Sequence, residues 1–187
     1  MYAGLDEWPE PPIDGDEAAT LIGSLERQRA TFAWKSGGLN AEQLQVTVGA
    51  SAISLGGLLR HLAMVEDCHF AVRLLDQAPA SPFREIDWEA NPTWDWSWSA
   101  EDTPENLYAL WQSNVDKSRR LVAQVLAEGG LDRVMAQKWP DGRAPSLRRT
   151  FVDLIEEYAR HVGHADLIRE SIDGVVGEDP PGVHDEL

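Results

Sequence analysis

Cysteine is almost missing from this chain of 187 residues. Cys68 stands alone, which excludes an intramolecular disulfide framework and gives no reason to place the protein outside a reducing compartment. Long apolar runs are missing too. No stretch approaches the ~18 consecutive apolar residues of a membrane span, and the N-terminus lacks both the basic and the apolar region of a secretory signal. Positive charge is scarce: 16 Lys and Arg face 32 Asp and Glu, and the formal charge of −16 repels DNA, RNA and anionic lipid. The expectation is a cytoplasmic protein with no nucleic-acid partner and no membrane partner. The acids are spread along the chain rather than gathered in a tail, so they favour solubility and name no partner. What is present, 43% apolar residues and eight tryptophans, is enough for one ordinary core.

Residues 1–15 carry Pro9, Pro11, Pro12 and Gly15 among acids and read as an irregular lead-in. A single domain is expected over 16–175, followed by a flexible Gly, Pro and acid tail over 176–187 that leaves His184 solvated. Within the domain, Leu21, Ile22, Leu25, Phe32 and Ala33 recur at helical spacing, with Asp14 or Asp16 as cap and Gly37-Gly38 as stop. The second helix runs from the N-cap Ser54 to Leu75, with Leu55, Leu58, Leu62, Val65, Cys68 and Val72 on one broad face and His61 inside it. Cys68 has no electropositive neighbour in sequence and reads as packing. A third helix starts at Thr103-Pro-Glu and stops at Gly129-Gly130, a Pro140-Asp-Gly turn follows, and Ser146 caps a last helix that ends at Gly174. Four long amphipathic helices without a convincing strand set predict an all-α four-helix bundle with a long loop, 76–102, between helices two and three.

The last helix carries chemistry as well as core. Phe151, Leu154, Tyr158, Val162, Ala165 and Ile168 form one apolar arc, and Glu157, His161 and His164 line its edge at spacings of four and three. Bundle packing would bring His61 towards that edge, giving two imidazoles and a carboxylate. Such a set suits Zn, Ni, Fe or Mn and leaves positions open for water or substrate. Equally, His61 can be a satisfied core histidine and Glu157 with His161 a buried ion pair. His164 is either a third ligand in place of Glu157, a general base, or a lining residue, and Tyr158 either donates to substrate or satisfies a buried carbonyl. His69, two turns from His61, is a core or pocket residue. The loop stretch Trp94-Asp-Trp-Ser-Trp98 alternates like an extended segment, with Trp94, Trp96 and Trp98 on one side either capping the bundle or walling a substrate pocket.

Ser54-Leu-Gly-Gly-Leu-Leu-Arg-His61-Leu-Ala-Met-Val-Glu66, Trp139-Pro-Asp-Gly, and Glu156-Glu-Tyr-Ala-Arg-His161-Val-Gly-His164-Ala-Asp-Leu-Ile-Arg169-Glu170 resemble the DinB-like (YfiT-like) superfamily. The branch they resemble is the one that includes the mini-circle protein of actinobacteria. The resemblance implies an up-down-down-up bundle, often a homodimer, with a divalent metal held by His61, Glu157 and His161. Many relatives carry histidine at the position of Glu157 and glutamine at that of His164, so no role transfers to His164. Characterised members activate a low-molecular-weight thiol such as mycothiol on the metal. The expected function is therefore a metal-dependent thiol S-transferase acting on a small electrophile. The alternatives are a non-catalytic, metal-stabilised bundle that binds a small molecule or a protein partner in a stress response, and a vestigial core network without an ion.

Overall fold

A computed structural model describes residues 8–99 and 101–181; His184 lies outside them. Among the described residues there is no strand, only the isolated bridges Thr47 to Ser54 and Val134 to Ser146, and the chain is all-α. The helices are α1 (Glu17–Ser36), the single turn α2 (Ala41–Leu44), α3 (Leu55–Glu66), α4 (Pro104–Gly129) and α5 (Leu147–Asp173).

Their ends follow local chemistry. Asp16 accepts from the Ala19 N–H at 2.8 Å and Gly37 closes α1. A capping box between Asn40 and Gln43 makes α2. Thr103 caps α4 with Pro104 in its first turn, and Gly130, at φ 65°, ends it in a conformation that a side chain would resist. One boundary departs from the expected pattern. After Glu66 the second helix widens into a π-helix over Asp67–Arg73, so 3.6-residue counting from His61 holds as far as Glu66 and fails beyond it.

The chain divides into two compact units, residues 1–55 with 151–187 and residues 56–150. In the first, Phe32 of α1 meets Tyr158 of α5 edge to face with ring centroids 6.4 Å apart, and both are fully buried. Lys35, wholly buried, pairs with Asp166 at 3.0 Å. Arg169 donates to the carbonyls of Lys35 and Gly37 at 3.1 and 2.7 Å, supplying a cation and two donors to the carbonyl end of α1. Beyond α5, Thr31 Oγ1 donates to the Glu178 carbonyl at 2.9 Å.

In the second unit α4 packs on the π segment. Asp67, buried, accepts from Lys117 Nζ of α4 at 2.8 Å and from the Ala80 N–H at 2.8 Å. Ala136 and Gln137 N–H groups donate to the carbonyls of Leu74 and Arg73, fixing the segment that leads into the turn at Trp139 to Arg143.

Candidate metal centre

On α5 the spacing of four between Glu157 and His161 does what helical geometry requires. His161 Nε2 lies 3.4 Å from Glu157 Oε1, and the imidazole side chain is 9% exposed whereas the carboxylate side chain is 33% exposed. His164, three residues on, brings its Nδ1 to 3.3 Å from His161 Nδ1. The three side chains of the predicted edge therefore meet, with His161 in the middle and each of its nitrogens facing one neighbour. Glu157 and His161 make a His/Glu pair able to hold a divalent ion. Two ligand atoms each ~2.1 Å from one ion at a tetrahedral angle stand about 3.4 Å apart, which is the spacing seen here. Tyr158, on the same helix, is in the core.

In the other unit His61 is gripped from the long loop. Its Nδ1 lies 2.9 Å from Asp95 Oδ2, and Trp96 stacks on the imidazole at 4.9 Å between centroids and 25° between planes. The loop turn is held by the residue before His61. Arg60 donates to the carbonyls of Trp94 and Ser97 at 2.9 and 2.6 Å, pairs with Asp102, and lies over the Trp94 ring at 4.6 Å. Adjacent residues of α3 thus seize adjacent residues of the loop.

The tryptophan stretch is not extended. Trp94–Trp96 is a turn of 3-10 helix, and at three residues per turn successive side chains diverge by about 120° instead of alternating across a strand. Trp94 and Trp96 consequently do not share a side: Trp94 meets Phe83 and Trp88 edge to face, each at 6.1 Å, and Trp96 faces His61. Trp98 is half-buried. A cavity of about 380 Å³ opens beside Arg60, Trp94, Asp102, Asn106, Leu107 and Leu110. Of the expected pocket residues only Trp94 lines it. His69 bonds through Nδ1 to the Val65 carbonyl at 2.9 Å, with Arg73 at 3.2 Å from its Nε2.

Burial pushes the Cys68 thiol up from its ordinary value, with Arg73 opposing and Asp67 adding to the rise. The residue that sequence reasoning passed over is Asp95. An acid between two tryptophans, in a loop too aromatic to be disordered, was the signal available for it.

The model of the mycothiol S-transferase family matches residues 20–174. The chain belongs to the mycothiol S-transferase family. No curated protein matches it at a significant level. No helix of the described residues is long and apolar enough to cross a membrane.

Proposed function

We propose that the protein is a divalent-metal-dependent S-transferase that joins a mycothiol-type thiol to a small electrophile, with His61, Glu157 and His161 as the metal ligands. Membership of the mycothiol S-transferase family is the observation that carries it. Neutral imidazole and carboxylate are the donors that borderline divalent ions prefer, and three protein ligands leave room for a further group. Such an ion, when bound, lowers the pKa of a thiol and makes it a nucleophile near neutral pH.

The chain's own residues do the rest. Glu157 offers one oxygen beside His161 Nε2, and its negative charge offsets part of the ion's. His164 orients His161: once Nε2 serves as ligand, His161 carries its proton on Nδ1 and donates it to His164 Nδ1. Full burial gives Tyr158 a packing role. The electrophile's apolar part is placed against Trp94 in the cavity of about 380 Å³, a volume within the range of small-molecule sites. Filling it with Leu110→Trp is expected to raise KM for the electrophile and leave KM for the thiol unchanged.

The test is metal content of untagged protein, wild type beside His61→Ala and Glu157→Ala, followed by thiol consumption with an aryl halide or epoxide. Near-stoichiometric metal lost in both folded variants, with thiol consumed only by metal-loaded wild type, is the expected result. Metal without any thiol turnover would leave a metal-stabilised binding bundle, and no metal after reconstitution with Zn, Ni and Mn would end the transferase proposal.

A further inference from the structure

Burying a carboxylate is costly unless it is paired, and Asp95 is 6% exposed in a loop that had solvent available to it. The partner it meets is His61, at 2.9 Å. Its position there is over-determined: Arg60 takes the carbonyls on either side of it, those of Trp94 and Ser97, and Trp96 flattens against the same imidazole that Asp95 contacts. A carboxylate accepts and does not donate, so the proton between them sits on His61 Nδ1 and the lone pair of the neutral ring is on Nε2.

We infer that Asp95 is the positioning residue of the metal site: from the 3-10 turn clamped by Arg60, it fixes the tautomer and the ring plane of His61 so that Nε2 is presented as a ligand. The inference rests on the metal role proposed for His61. It gives the tryptophan-rich loop a task distinct from lining a pocket, because Trp96 and Asp95 act on the imidazole and not on a substrate. Aligning the ligand lone pair beforehand removes an ordering cost from metal binding, and hydrogen bonding to the carboxylate raises the basicity of the ring.

Two measurements on Asp95→Asn and Asp95→Ala test it, with His61→Ala as reference. The first is the long-range nitrogen–proton NMR spectrum of the metal-free protein. The His61 ring should carry its proton on Nδ1 in wild type and move towards the Nε2-protonated form in Asp95→Ala. The second is zinc affinity by competition with a chromophoric chelator, where both Asp95 variants should bind about 10–100-fold more weakly at unchanged stoichiometry. A merely structural ion pair would lower thermal stability and leave the zinc affinity in place. An Nε2-protonated His61 in wild type, or zinc affinity within about twofold of wild type in both variants, overturns the inference. Asp95→Asn keeps the shape of the side chain and decides the matter if Asp95→Ala does not fold. If wild type takes up no zinc, the ligand role of the triad fails, while the NMR spectra still decide whether Asp95 sets the tautomer.

Discussion

His61 and His161 are held in different ways. His161 is kept by its own helix, with Glu157 one turn before it and His164 one turn after, at 3.4 and 3.3 Å. His61 is kept by a distant segment, through an acid 34 residues later in the chain and an indole beside it. The first arrangement costs little to assemble, since α5 forms for reasons of its own and its spacing brings the groups together. The second needs a loop closed onto the helix, and the chain provides Arg60 with bonds to Trp94, Ser97 and Asp102 to close it. A helix-internal site is robust and plain, whereas a loop-supported one brings in partners from a distant part of the chain.

The largest effect should erase the contrast. His61→Ala and His161→Ala are both expected to take metal content from near-stoichiometric to background by elemental analysis, because each removes a proposed ligand outright. Retention of metal in either variant would remove that histidine from the site. Arg60→Ala should act on one side only. It leaves the buried Asp102 without its cation and two carbonyls without a donor, at a cost of about 3–5 kcal/mol by urea unfolding. Arg60→Lys is not expected to restore that stability, since an ammonium cannot reach several acceptors in one plane. The supports themselves sharpen the comparison further. Zinc affinity should fall less in His164→Gln than in Asp95→Asn, by less than about tenfold, because one neutral acceptor replaces another. Equal losses would mean that charge is not what separates the two histidines.

The smallest effect concerns a tie in the last turns of α5. A hydrogen bond from Arg169 holds the Asp173 carboxyl below its ordinary value. The folded pKa is thus lower than the unfolded one, so the stability this gives is present above the unfolded carboxylate pKa of ~4 and lost as pH falls through the folded value. Asp173→Asn should therefore show a slightly shallower decline in Tm than wild type between neutral and strongly acid pH. An unchanged acid limb would mean that this exposed pair contributes nothing measurable.

What could be read from the sequence follows the same division. The start of α1 to within its two candidate caps, Asp14 and Asp16, the Thr103-Pro104 start of α4 and the meeting of Glu157, His161 and His164 all rest on local chemistry or on the helical repeat, which made them legible. Asp95 could not be placed, because what buries it is Arg60 and His61, more than thirty residues earlier, and no periodicity links a loop to a helix face. The tryptophans misled for a related reason: alternation in sequence is compatible with a strand, but carbonyls drawn to Arg60 favour a tight turn. The π segment was equally unreadable, since one helix widening into another leaves the apolar pattern almost unchanged.

The long connection between α3 and α4 is pinned near both ends, by Asp67 on the Ala80 N–H and by Arg60 on the carbonyls of Trp94 and Ser97. Mechanically it is a set of short spans between rivets, and in 87–93 seven consecutive residues are exposed. There the chain can be nicked by a protease or lengthened by a foreign peptide while both rivets hold, so a reporter carried between Glu89 and Asn91 would ride on the protein without loosening the grip on His61.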